Sequence, residues 1–459
     1  MSCFGPLIVD DCGSSPHQYD DERVFVFHDY FTETGHQMMD SVAKAPYKGV
    51  PETDGILLNG QGVSTGKTAK PGNPGRKFIF GGGYSSPRGL APVFPPRLHP
   101  RSPGPLPTGD EEIEDGESQQ QTSNTDDCIL PVIDVDPGKT YRFRFIGGTG
   151  LSFLTMGFEG HSNLIVVQVD GSEYNVPVST DRIQLGAGQR FDVMFTTKTE
   201  DELKADGDKK TYFLQFETRD RPNPYRGYGV LRYSSQADVP AAPENPVITL
   251  PTDVTDWLEY TLQPLYPDTS KAPTAAEVTR RIVVDCVQTQ DEATGRVVWE
   301  LAGLPWTEDS RTSPLLVDIY QHGEAAIPDY DAAINNNNWD PKTESFPVKL
   351  NEVLEIVFQN TGSRVRGSGF VESHPFHAHG QHYYDIGSGP GRYDADANNA
   401  KLEELDYKPV RRDTTMLYRY DDRVEAGQAA GWRAWRIRAE DPGVWMIHCH
   451  ILAHMMMGK

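Results

Sequence analysis

The chain has 459 residues, enough for two or three domains at roughly 100–200 residues each. Its formal charge of −23 argues against a nucleic-acid or anionic-membrane partner and for a surface that repels its own copies. No run of about 18 apolar residues offers a transmembrane helix, and the opening "MSCFGPLIVDD" lacks the basic flank and apolar length of a secretory signal.

Thirty-five prolines and 43 glycines divide the apolar sequence into short runs. "ERVFVFHDYF" (22–31), "KTYRFRFIGG" (139–148), "NLIVVQVDG" (163–171) and "QRFDVMFTT" (189–197) come first; "RRIVVDCV" (280–287), "NEVLEIVFQN" (351–360) and "GWRAWRIRAE" (431–440) follow. Several alternate apolar with polar or basic residues, as a half-buried strand does. Strands of this length between Gly, Pro and Asp turns predict an all-β protein of sandwich or barrel domains. Two stretches interrupt the pattern. Residues 82–127 hold eight prolines from Pro87 to Pro107 and then the acidic run "GDEEIEDGES". Such a stretch cannot bury enough apolar surface to fold and is expected to be a disordered insertion. Residues 236–275, rich in Pro, Asp and Thr, read as a linker between units 17–235 and 276–459. An internal echo supports two similar units: "LGAGQRFDVMF" (185–195) and "EAGQAAGWRAWRI" (425–437) each place an Ala-Gly-Gln turn before an alternating strand.

The five cysteines, Cys3, Cys12, Cys128, Cys286 and Cys449, are too few and too scattered for a small-domain disulfide framework. The first four read equally as disulfide partners or buried thiols. Cys449 differs because of its neighbours. Seven of the 13 histidines fall in "HPFHAHGQH" (374–382) and "HCHILAH" (448–454). The other six, His17, His28, His36, His99, His161 and His322, read as surface or core residues. Side chains alternate faces along a strand, so His377 and His379 point one way. His448 and His450 also share a face, and Cys449 points to the opposite one. One strand then serves two metal sites, a two-imidazole site on one face and a thiolate site on the other. A thiolate with two histidines matches the trigonal set of blue copper, for which Cys449, His454 and a distant histidine such as His374 are the candidates. The His450 and His454 spacing leaves zinc open.

"HPFHAHG" and "HCHILAH" resemble the two C-terminal copper motifs of multicopper oxidases, the group of laccases and ascorbate oxidases. "DGILLNGQG", "KTYRFRFIGGTG", "RRDTTMLYRY" and "EDPGVWMIHCHILAH" resemble the fungal ascorbate-oxidase-like members. The resemblance implies two cupredoxin-like Greek-key β-sandwich domains, corresponding to the second and third of a three-domain oxidase. It implies copper as cofactor, a small-molecule reducing substrate and dioxygen as partners, and an extracellular setting. His374, Cys449 and His454 would hold the type 1 copper, His377 the type 2 copper, and His379, His448 and His450 the type 3 pair; His382 would not be a ligand. Cys449, between His448 and His450, would then wire the electron-accepting site to the cluster that reduces dioxygen, making these three the catalytic residues.

Three departures from the family pattern shape the expectation. The His-Trp-His-Gly motif of an N-terminal cupredoxin domain does not occur; residues 1–16, with "FGPLIVDD", resemble the last strand of that domain, and half the cluster's histidines would be missing. Lys459 stands ten residues after Cys449, where Met or an apolar residue is usual, and an ammonium cannot ligate. Met455, Met456 and Met457 are out of register with that position and are expected to pack. The strand that follows this position in the family is expected to be missing, leaving the sheet edge unprotected, which with the 82–127 insertion suggests an imperfect gene model or a degenerate copy. The expectation is copper binding with impaired oxidase turnover. The alternatives are a non-enzymatic copper-binding or electron-transfer protein and an inactive fragment. The substrate is expected to meet the protein at an exposed edge of His454 or His374. Asp413 and Trp435 are expected to be structural.

Overall fold

The computed structural model describes residues 5–9, 15–43, 52–62, 130–267, 271–304, 306 and 313–459. The expected insertion at 82–127 lies outside these residues, as do Cys3, Cys12 and Cys128. Residues 5–9, read as part of a strand, form none.

The first unit contains β1 (Asp21–Tyr30), β2 (Gly55–Leu58), β3 (Val132–Asp134), β4 (Thr140–Gly147), β5 (Phe153–Phe158), β6 (Leu164–Val169), β7 (Tyr174–Thr180), β8 (Ile183–Leu185), β9 (Arg190–Thr196), β10 (Thr211–Arg219) and β11 (Arg226–Arg232). They form a sheet of order β2-β1-β4-β9-β6-β7 and a second of order β3-β11-β10-β5-β8. The alternation in "TYRFRF" explains the packing. Tyr141, Phe143 and Phe145 point between the sheets, where Phe143 lies 4.5 Å from Phe195 and 4.8 Å from Phe25, ring centre to ring centre. Fully burying each phenyl contributes about 1.5–3 kcal/mol. Arg142 and Arg144 take the other face, where both reach the Asp192 carboxylate and Arg144 also holds Glu22 at 3.0 Å.

The second unit contains β12 (Arg280–Gln290), β13 (Val297–Leu301), β14 (Val353–Thr361), β15 (His374–Ala378), β16 (Tyr383–Pro390), β17 (Arg411–Arg412), β18 (Thr414–Leu417), β19 (Ala429–Arg438) and β20 (Ile447–Cys449). Its large sheet has the order β13-β12-β14-β19-β16-β17, and a small sheet, β18-β15-β20, lies against it. Phe358 of the large sheet stacks on Phe376 of the small one at 4.2 Å, and Trp435 packs edge-on to Phe358 at 4.5 Å. The same plan underlies both units. A parallel pair, β1 with β4 or β12 with β14, is followed by antiparallel pairing to β9 or β19. Helices at Leu315–His322, Tyr330–Ile334 and Ala395–Glu404 decorate the second unit.

Buried ion pairs join the units. Glu259, in the strandless segment that follows β11, meets Arg433 at 2.7 Å, and Arg412 meets Asp170 at 2.8 Å. Leu250, Val254 and Trp257 of the same segment are buried, and Val176 of β7 donates its N–H to the Gln263 carbonyl. Removing one partner of such a buried pair strands the other charge, which typically costs about 3–5 kcal/mol.

Candidate metal centres

The small sheet places the chemistry. In the β15/β20 pairing Phe376 stands opposite Cys449 and His377 opposite His448. The pleat therefore turns Cys449 inward beside Phe376, on the side of His374, and turns His377 and His448 to the other side. His454 returns to Cys449 on the short helix Leu452–Met456. His374 Nδ1 and His454 Nδ1 are 3.2 Å apart, and Cys449 Sγ is 3.9 Å from each. The point equidistant from these atoms lies about 2.1 Å from each, within the roughly 2.0–2.3 Å that imidazole and thiolate bonds to a first-row metal ion require.

All three side chains are buried. Burial holds the His374 imidazole well below its ordinary value and lowers His454 too, against the opposing pull of Glu372, so both are neutral donors. Burial also pushes the Cys449 thiol up to about 11; a metal cation is what would convert it to thiolate. Glu372 Oε2 lies 3.3 Å from His454 Nε2. Burial alone would raise this carboxyl, but His454, Arg221 and Lys459 overcome it and bring it to about 2. Sequence reasoning passed over Glu372, although its place two residues before His374 puts it on the same side of an extended chain.

The exposed imidazole edge expected at this site is absent. His374 and His454 are 0% and 1% exposed, and Trp299 packs against both, 4.8 Å and 5.0 Å away. Lys459 sets its Nζ 3.6 Å from the Trp299 ring centre without a hydrogen-bond partner. Burial lowers this amine to about 8, against the pull of Cys286, Cys449 and Glu372. Met457 is buried with Val42, Val297 and Trp299, so it packs as expected. Lys459 also returns its carbonyl to the Cys449 N–H at 3.3 Å, partly covering the edge of β20.

The second group joins His377, His379 and His448, whose ligand atoms lie within 4.8 Å of one another. His379 Nε2 and His448 Nε2 are 3.1 Å apart. His448 Nδ1–H donates to the Cys449 carbonyl at 2.9 Å, freeing Nε2. His379 is exposed, so this group is open where the first is sealed. His450 stands beside the group, its ring 5.8 Å from those of His377 and His448; burial, with the two neighbouring imidazoles, lowers it to about 4. His382 instead faces the Asp413 carboxylate at 3.7 Å. His161 hydrogen-bonds Tyr233 and His28 meets the Gly148 carbonyl, as core residues do. Asp413 and Arg190, which the sequence did not single out as site residues, back the second group.

Comparisons with known proteins identify the family. Family profiles described as multicopper oxidase match residues 21–236 and 311–459. The chain is 58% identical over 461 residues to laccase-like multicopper oxidase 1 of Thermothelomyces thermophilus, covering 100% of this chain and 69% of that protein. It is 23% identical to L-ascorbate oxidase of Cucumis sativus, across 99% of this chain and 68% of the relative. The crystal structure of the Botrytis aclada laccase superposes with a TM-score of 0.60 at 19% identity, over 97% of this chain and 64% of that one, which shows a shared cupredoxin-like fold. The chain thus spans less than two thirds of that laccase. Copper is the cofactor of the matched family, and the buried two-nitrogen, one-sulfur triangle fits its type 1 site. With a relative this close and both domains matched, the chain belongs to the multicopper oxidase family.

Proposed function

We propose that this protein is a copper-dependent oxidoreductase that couples one-electron oxidation of a small-molecule reductant, a phenol, ascorbate or similar compound, to reduction of dioxygen to water. The observation that carries this reading is the pairing of Phe376 with Cys449 and of His377 with His448, which puts His374 and Cys449 on one face of a two-stranded ribbon and His377 and His448 on the other. Copper held there would supply one-electron redox chemistry. His374, Cys449 and His454 would hold the type 1 ion, His377 the type 2 ion, and His379, His448 and His450 the type 3 pair.

Cys449 is covalently continuous with His448 and His450, so the buried triangle and the open group are separated only by backbone bonds. Because His454 is buried, a reductant meets it through Glu372, whose side chain retains 20% exposure and touches the imidazole. A reductant with an O–H or N–H donor would hydrogen-bond this carboxylate and stand one residue from the triangle. The sealed walls keep water away from the thiolate.

Copper titration of the full chain, followed by oxygen uptake with a phenol and with ascorbate, tests the reading. A visible thiolate charge-transfer band and oxygen consumption are expected. A second reading, a copper-binding electron-transfer protein, draws support from the contrast between the preformed buried triangle and the exposed His379. A strong band without oxygen uptake would select it.

A further inference from the structure

We propose that Arg190 and Asp413 form a clamp across the two sandwiches that fixes the tautomer of His377 and the wall behind His450. The inference rests on the copper reading above for its purpose, though not for its geometry. Neither residue belongs to either ligand group; both are positioning residues.

The Arg190 guanidinium, on the first sandwich, holds the Asp413 carboxylate of the second with both prongs, at 2.6 and 2.7 Å. Such a bidentate fork fixes direction as well as distance. Asp413 then acts on His377 in two ways. Its carbonyl accepts from His377 Nδ1 at 2.9 Å and from the Ala378 N–H at 3.0 Å. Its carboxylate accepts the Thr414 hydroxyl proton at 2.8 Å, which turns a lone pair of that oxygen toward His377 Nδ1, 3.1 Å away. A ring nitrogen facing two acceptors carries the proton, so Nε2 is left with its lone pair for a metal. Without the carboxylate the Thr414 hydroxyl is free to donate to Nδ1, which would place the proton on Nε2 and block the ligand atom.

The same guanidinium reaches the first sandwich's own turn. It donates to the Gly188 carbonyl at 2.9 Å and to the Asp170 carbonyl at 2.5 Å. Gly188 has φ +80°, and a Cβ added there would stand 2.7 Å from His450 Cδ2. Glycine is needed here for both conformation and space. One planar cation therefore ties the turn that backs His450 to the residue that seats His377. Among the described residues the first sandwich supplies no ligand to either group, yet it sets the orientation of two candidate ligands.

Selective nitrogen-15 histidine labelling of the full chain reads the tautomer directly, with the His377 signal assigned from a His377→Gln variant. The wild type is expected to carry the proton on Nδ1. Arg190→Lys keeps the charge but loses the fork, and Asp413→Ala frees the Thr414 hydroxyl to donate to Nδ1; each should mix the tautomers. Each should also weaken Cu(II) binding at the second group about 10- to 100-fold, the usual effect of losing such a partner. Thr414→Ser keeps the hydroxyl and should retain the wild-type tautomer. A wild-type proton on Nε2, or tautomers unchanged in both Arg190→Lys and Asp413→Ala, would overturn the clamp. The tautomer is read without copper, so a chain that binds no Cu(II) but shows these shifts supports the clamp while removing the copper reading.

Discussion

Ala187-Gly188-Gln189 leads the first sandwich into β9, and Ala426-Gly427-Gln428 leads the second into β19, with the two glycines at φ +80° and +79°. Both strands then pair antiparallel with the strand that closes the parallel pair. On this shared plan the first unit fills its interior with phenyl rings, and the second devotes its small sheet to imidazoles and a thiol. The difference teaches where chemistry can be added to a sandwich. The face of a strand that packs the core is constrained by volume, whereas β15 and β20 each have a second face that the core does not use. Ligands there cost little packing. His374 and Cys449 are the exceptions, since both share the inward face of Phe376, and there the core accepts an imidazole and a small thiol in place of apolar side chains.

The largest effect should come from Cys449→Ser. This change removes the sulfur donor, so the visible band of the copper-loaded protein is expected to vanish completely while histidine-based copper binding at the open group persists. Loss of both together, by titration followed optically and by bound-copper assay, would show that the two groups are not separately built.

Acidification should weaken the second sandwich more than the first. His374, His379, His448, His450 and His454 are all held below their ordinary value, chiefly by burial, against His17, His28 and His161 in the first unit. The unfolded chain takes up protons near pH 6.5, while native His450 resists until about 4. Between these values the unfolded state binds more protons, so stability falls as pH is lowered, by up to about 1.4 kcal/mol per pH unit for each such group. Denaturant unfolding of the metal-free protein from pH 7 to 4 measures this. A flat profile would mean that the imidazoles are not sealed.

Phe143→Ala sharpens the comparison from the other side. It opens a cavity among Phe25, Phe145 and Phe195 and should cost about 3–5 kcal/mol in chemical unfolding, with the copper spectrum of the surviving native protein unchanged. Lys459→Met should have the smallest effect. Removing an amine held beside Trp299, Cys449 and Glu372 relieves repulsion of an incoming cation, and copper affinity at the buried triangle is expected to rise about tenfold, or ~1.4 kcal/mol, in competition with a chelator.

Part of this was legible beforehand because strand geometry is local. The alternation in "TYRFRF" predicted which side of β4 packs, and "HPFHAH" with "HCH" predicted two faces with different donors, which the register of β15 against β20 confirms. His450 shows the limit of that logic: β20 ends at Cys449, so strict alternation no longer applies and the ring stands beside the open group. The stretch read as a linker was judged by composition, which does not reveal that Glu259 enters a buried pair with Arg433, 174 residues away.

By itself the sequence determined the all-β class, the doubled plan and the residue types that gather near Cys449, because period-two patterning and the donor chemistry of Cys and His are properties of short segments. Only the tertiary structure decided that His374 and His454 are sealed behind Trp299 with Glu372 against His454, and that Arg190 meets Asp413. Burial and ion pairing depend on which distant surfaces face each other, and a one-dimensional pattern carries no distance between residues 190 and 413.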